Sequence, residues 1–497
     1  MQTSRKVSTP FPLFVAVAIV FYALFVSAAL IFLSPLISVI FCILPFGLFI
    51  FNRTWAFHPP LKSLHILFVC AIVIFILWPR YLAFNFGGPD ITPSRILYAL
   101  LLCLWSLSFA SPIYRREFLA TLRGIKIWLV MLIVYILLRI ISCFFSSAPI
   151  FSFYLIANEL LTAVLIFPIV ISIYKKRDRI RSLFIWLFLA GIVVALMTIV
   201  EATISRTLFA NISLPGMRVD NQWLESMLMD KVRGGKYRAQ STFSHPLLLA
   251  EFMVFALPFA IYFMAHNRFI LRLVGLFGFV LFVVAAIATG SRSALVAIPI
   301  VVLLSIATLS TRQKRTFEGG AFWIITILAI CFGLITCIVL LTTGTVDLRI
   351  ITGKGAEEAA SSTMRVLMLS RGLPLIGEHP LVGYGPGLAG YTLGFGKSSG
   401  AITIDNFYLS ISLETGLPAL FIFVLLAFGL AFKGYYYSFQ NATLEGLMAG
   451  MLGISVLGML IVKSILSIPH NAPLLFMALA LIVVIPQLSE NEEKDGG

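Results

Sequence analysis

The chain has 497 residues, of which 60% are hydrophobic and 11% charged. Its mean hydropathy is +1.02. Soluble domains are nearer half apolar and a quarter charged, so a water-soluble fold is excluded, and so is disorder, which needs the opposite composition. The net charge of +15 comes from 36 Lys and Arg against 21 Asp and Glu. In a soluble protein that excess would suggest nucleic acid. Here part of it is the positive-inside bias of membrane proteins, and no nucleic-acid partner is expected.

Apolar stretches long enough to approach a bilayer span recur from the N-terminus onward. They cover 11–33, 36–51, 64–78, 96–110, 125–145, 150–173, 183–204, 247–265, 270–288, 294–309, 321–342, 416–432, 444–466 and 473–487. The expected fold is an all-α integral membrane protein of about 14 transmembrane helices, with a range of about 11 to 14 because several stretches are short. The first stretch follows Arg5 and Lys6 and is read as an uncleaved span. The six cysteines lie inside apolar runs without a CxxC, so they read as small buried hydrophobes.

Basic short loops orient the map. Arg115, Arg116, Arg123 and Lys126 fall in one, Lys175 to Arg181 in a second, and Arg312 to Arg315 in a third. All can be cytoplasmic at once, which places both termini in the cytoplasm. The domains then run as N-terminal spans 1–204, an external basic loop 205–246, and central spans 247–342. A large external loop 343–406, C-terminal spans 407–487 and a cytoplasmic tail 488–497 complete the chain. The two external loops are rich in cations, among them Arg206, Arg218, Arg233, Arg238, Arg349, Arg365 and Arg371. Such charge suits an anionic partner, either lipid phosphate or a diphosphate-linked substrate, although solvated surface charge is the bland alternative.

Four stretches carry the polar chemistry. YRAQSTFSHPLLLAEF brings Arg238 and His245 to the start of a span, and Glu251 follows within it. A lone His before Pro is more often structural than substrate-binding. TGSRSALVAIPIV places Arg292 in a tight Gly-Ser turn between two spans. There a guanidinium has little room to snorkel, and its planar fork suits phosphate. MRVLMLSRGLPLIGEHPLVGYGPG holds Arg365, Arg371 and His379. Val366, Leu369, Leu373 and Leu375 roughly follow helical spacing, which predicts an amphipathic helix on the external surface. The glycines after it lack the strand a nucleotide motif needs; this backbone must leave the lipid or pack on protein. IDNFYLSISLETGLPALFIF opens with Asp405 and Asn406, where Asp405 could cap the next span. Glu414 follows at the membrane edge, costly unless paired or wet. Arg139, Glu201 and Lys463 are further polar groups within spans; Arg139 and Lys463 lie near span ends, where snorkelling is at least as plausible as function. The histidines are scattered, no metal-ligand spacing occurs, and no cofactor is expected.

In this order, TGSRSALVA, the stretch from Arg365 to HPLVGYGPG, and DNFYLSISLETGLPAL resemble the bacterial O-antigen ligase and polymerase superfamily. The resemblance covers roughly 235–430. It implies a GT-C-like polytopic glycosyltransferase of the inner membrane, working without a metal and by inversion on the periplasmic face. The implied donor is a glycan on undecaprenyl diphosphate, and the acceptor a second glycan or lipid A-core. A chain-length regulator and a flippase are implied companions. Carried over, Arg292 and Arg365 hold the donor diphosphate and Asp405 is the base on the acceptor hydroxyl. Arg238, His245, Arg371, His379, Asn406 and Glu414 are substrate-binding candidates. One departure matters: ligases typically carry His-Asn where this chain has Asp405-Asn406, which favours a polymerase over a ligase. A flippase is the alternative of a different class, but flippases are expected to carry cations along a central cavity and to have two related halves.

Overall fold

The computed structural model describes residues 59–79, 82–84, 91–210, 212, 229, 231–233, 235–313, 356–395, 404–465 and 467–495. The stretches 11–33, 36–51 and 321–342 lie outside these residues. The first described helices are α1 (Leu61–Leu77), α2 (Pro93–Ser108), α3 (Pro112–Gly124) and α4 (Lys126–Phe144). Two of them start where a hydroxyl precedes a proline: the Thr92 side chain accepts from Arg95 N–H, and the Ser111 side chain from Tyr114 N–H. Proline at the first helical position is pre-set for the helix and lacks only an N–H that would have no partner there. The hydrophobic stretch 96–110 ends within two residues of the end of α2. The chain turns by 102° into α3, and Arg115, Arg116 and Arg123 sit on that helix rather than in a loop.

Next come α5 (Pro149–Ile173), α6 (Arg177–Ile204) and a small antiparallel hairpin of β1 (Val232–Arg233) and β2 (Lys236–Tyr237). A π-helical turn, Leu160–Val164, interrupts α5. Then follow α7 (Pro246–Met264), α8 (Phe269–Ala288), α9 (Arg292–Gln313), α10 (Ala356–Glu378) and the short α11 (Ala389–Thr392). The chain closes on α12 (Phe407–Gln440), α13 (Leu444–Lys463) and α14 (Ala472–Asp495). Eight described helices are long and apolar enough to cross a membrane: α4 to α9, α12 and α13. The bent pair α2–α3 would make a ninth, while α1 and the apolar part of α14 are shorter. The chain is thus a polytopic, mostly helical membrane protein.

The centre of the bundle is α7 and α13, buried along nearly their whole length. Glycine lets α12 and α13 approach each other backbone to backbone. A Cβ on Gly453 would lie 2.4 Å from the Ala431 carbonyl oxygen, and one on Gly434 would lie 2.6 Å from that of Ala449. Small residues at such crossings are what lipid-embedded helices use to gain dispersion contact. The helices at the rim instead present apolar side chains outward, such as Ile127 and Leu137 on α4 and Phe421 and Phe432 on α12. At one end of the bundle the basic α5–α6 connection meets carboxylates. Lys175 pairs with Glu117 of α3 at 2.6 Å, and Arg181 with Glu445 of α13 at 2.8 Å.

Candidate active site

The start of α12 gathers the polar residues of the IDNFYLSISLETGLP stretch. Asn406 is the helix cap: its backbone is extended and its Oδ1 accepts the Leu409 N–H at 3.1 Å. The expectation that Asp405 could serve as the cap is corrected by one residue. Asp405 is left for another partner, and Arg365 Nη2 lies 3.4 Å from its Oδ2. The pair is partly open, with side chains 22% and 33% exposed. The buried Arg365 Nε has no hydrogen-bond partner.

Arg365 is placed by α10, which runs parallel to the first part of α12. A Cβ on Gly372 would touch Leu409, and further along Tyr384 N–H donates to the Leu413 carbonyl at 2.8 Å. A small apolar cluster of Ile376, Ala389, Leu393, Ile404, Leu409 and Leu413 holds the two together. The segment is helical, but of its four apolar positions Val366, Leu369 and Leu373 are exposed and only Leu375 packs on this cluster. Arg371 does not join Arg365. It donates to the Leu393 carbonyl at 3.4 Å and lies over the Phe395 ring, securing the segment around α11.

The glycine-rich run is a packing device. At Gly416 the backbone leaves helical geometry (φ 82°, ψ 173°). Leu417 N–H goes to the Pro380 carbonyl, and Pro418 has no N–H to give, so the Leu413 and Glu414 carbonyls lose their helical donors. Tyr384 N–H takes the first, while Gly385 N–H at 2.9 Å and Ser142 Oγ at 2.6 Å take the second. Gly385 has φ +106° and its missing Cβ would overlap Ser146, so only glycine can bring its N–H there. His379 is exposed at this far end of α10, with its ring edge-on to Tyr384 at 4.6 Å. Burial first, and the Glu378 carboxylate it donates to second, push the Tyr384 phenol up to about 12. Fourteen residues of α10 separate His379 from Arg365, about 21 Å of helix. The Glu414 carboxylate lies 3.9 Å from Arg139 and accepts from Ser410.

A second group forms around the Ser-Arg turn. Arg238 Nε donates to the Thr289 carbonyl at 2.8 Å, and Ala239 N–H to that of Ala288. Gly290 has φ +62°, and a Cβ there would press on the Arg238 side chain. Arg238 thus packs on the turn that leads into half-buried Arg292, the first residue of α9. Below it the buried Glu201 carboxylate accepts Gln240 N–H, Ser241 N–H and the Tyr237 hydroxyl, fixing the segment that carries Arg238. His245 Nδ1 accepts the Leu247 N–H at 3.1 Å and caps α7. Sequence reasoning marked Glu201 only as an ionisable group in a span; its use as an acceptor for a loop needed the fold. Glu159 and Tyr135 were missed altogether, although a carboxylate inside an apolar run was a signal for the first.

Arg139 and Lys463 do not snorkel. Arg139 Nη1 lies 2.8 Å from both Glu159 and the Tyr135 hydroxyl. Lys463 Nζ lies 3.0 Å from Glu251 and over the Phe407 ring, and Asn471 donates to the same carboxylate at 2.9 Å. Among the described residues no group of three or more His, Cys, Asp or Glu could hold a metal ion. No curated protein matches the chain. Residues 277–424 match the family model described as O-antigen ligase, a segment that holds Arg292, Arg365, Arg371, His379, Asp405, Asn406 and Glu414. Over that segment the chain is similar to the O-antigen ligase family.

Proposed function

We propose that the chain joins glycan units carried on undecaprenyl diphosphate, acting as a polymerase of surface polysaccharide, O-antigen or exopolysaccharide, on the periplasmic face of the inner membrane. The observation that carries this reading is the Arg365–Asp405 contact at 3.4 Å, made by a carboxylate that is not needed as a cap. In the free protein the two face each other at 3.4 Å. A donor diphosphate competes for the Arg365 fork and leaves Asp405 to face the acceptor. The acceptor hydroxyl then gives its proton to Asp405 while its oxygen bonds to the sugar anomeric carbon from the side opposite the diphosphate. The carbon–oxygen bond to the diphosphate breaks, and its electron pair stays on the leaving oxygen. Preorganised guanidinium groups stabilise the charge that develops there, which assigns Arg365 and Arg292 to the diphosphate. Arg238 supports the Arg292 turn. This reading is inverting, uses no metal ion and carries both termini in the cytoplasm.

The test is transfer in detergent, with purified protein, a lipid-diphosphate-linked repeat unit and no membrane gradient. Polymer formation, unchanged by a chelator, supports the proposal; a protein that only moves lipid-linked glycan across vesicles would be a flippase. The description of the matched family as O-antigen ligase favours a second reading, a ligase with Asp405 as base. Supplying lipid A-core as the only acceptor separates the two. For sidedness, a cysteine at Ser399 should label from outside intact cells and one at Ser182 should not; the reverse pattern ends the periplasmic assignment.

A further inference from the structure

We infer that Arg139 and Glu159, both outside the matched segment, are positioning residues that set the bend of α12 and so the place of Asp405. The inference rests on the reading of Asp405 as the base. Three helices converge here: α4 brings Tyr135, Arg139 and Ser142, α5 brings Glu159, and α12 brings Ser410 and Glu414. The guanidinium uses two edges. Nη1 meets Glu159 and Tyr135 at 2.8 Å, and Nη2 faces Glu414 at 3.9 Å. Its side chain is only 11% exposed. Glu159 is the last residue before the π-helical turn of α5, a wide turn often found where a helix serves a site.

The place where this cluster grips α12 matters most. Glu414 lies two residues before the break at Gly416, with its carbonyl shared by Gly385 N–H and Ser142 Oγ. The segment from Asp405 to Glu414 is a lever of ten residues, about 13 Å at helical rise. A swing of about 10° at the break moves Asp405 by about 2 Å, and a misplacement of about 1 Å can cost about 100-fold in rate. The glycine-rich loop holds one side of the break and the Arg139 cluster the other. Lysine cannot replace this arginine, because an ammonium is a point charge while the fork reaches Glu159 at 2.8 Å with one nitrogen and Glu414 at 3.9 Å with the other.

The experiment compares wild type, Arg139→Lys, Asp405→Asn and the double variant, each full length in nanodiscs. Hydrogen exchange is read over 380–387 and 404–416, and transfer kinetics alongside. Arg139→Lys is chosen because it keeps the buried charge and so the fold. Expected are faster exchange confined to those two segments and a kcat lower by about tenfold or more, with the donor KM within about twofold. In the Asp405→Asn background the added loss should be under about twofold, since the lever then carries nothing. Unchanged exchange and rate in Arg139→Lys overturn the inference. So does faster exchange across all spans, which would mark a purely structural residue, and so does full additivity in the double variant. A wild type that exchanges as expected but transfers no glycan fails the functional reading instead.

Discussion

Two charge pairs at the ends of α12 and α13 contrast in how they are closed. Lys463 and Glu251 are 1% and 0% exposed, 3.0 Å apart, with Asn471 and the Phe407 ring packed beside them. Arg365 and Asp405 are 22% and 33% exposed and 3.4 Å apart. The first pair is closed off from solvent inside the bundle and ties α13 to α7. The second is loosely met, so a ligand with a stronger claim on guanidinium can displace the carboxylate. A fully buried pair is out of a ligand's reach and serves as a strut; a partly exposed pair keeps its guanidinium and carboxylate within reach of one.

The largest effect should come from breaking the strut. Lys463→Met leaves Glu251 charged and unpaired in the bundle, which costs about 3–5 kcal/mol, while removing both charges together can be neutral or stabilising. Thermal unfolding in detergent should show a large fall for Lys463→Met and recovery in Lys463→Met with Glu251→Met. An unchanged midpoint in the single variant would mean the pair is not a strut.

At the site, the same kind of loss should appear in rate and not in stability. Asp405→Asn should lower transfer by about 10²–10⁴-fold, the usual cost of a general base, with a normal unfolding midpoint because Asn406 keeps the cap. Asp405→His restores the residue typical of the ligases and should recover part of the rate. Normal polymer from Asp405→Asn would send the search for the base to His379, His245 or Glu414.

A smaller step distinguishes a fork from a charge. Arg365→Lys and Arg292→Lys should each lose nearly as much transfer as the alanine variants, because lysine cannot make two parallel bonds to one phosphate. Full activity in both lysine variants would leave only non-specific attraction. The smallest effect belongs to the cap: Asn406→Ala should cost about 1 kcal/mol of stability, and Asn406→Asp almost none. Equal midpoints for the alanine and aspartate variants would show that the cap does not hold α12.

How far the sequence is readable depends on whether the signal is local. The spans of α4 to α9, α12 and α13 are written in runs of apolar residues, and their positions agree with the helices to within a few residues at most ends. The stretch 96–110 ends within two residues of the helix, but α3 escaped, because its basic residues read as a loop while its Ser111–Pro112 start is a local capping event. Asp405 and Asn406 are equally good caps by type, and only the observed bond from Leu409 N–H shows which one is used.

The glycines of GYGPG and the Gly416–Pro418 break could be recognised as irregular backbone, but not as two halves of one junction. That Gly385 N–H meets a carbonyl 29 residues later, in place of the donor that Pro418 lacks, is a fact of tertiary packing. Arg139 and Lys463 show the same limit: near a span end, a cation can snorkel or be buried, and the choice depends on whether other helices bring carboxylates to it. By itself the sequence determined that the chain is a membrane-embedded helical bundle, where its apolar helices run, and which superfamily its ordered motifs resemble, because each is set by composition or by residues close in the chain. Only the tertiary structure decided which charges are closed into the bundle and which pair stays open at its edge, because that depends on partners 20 to 275 residues away in the chain.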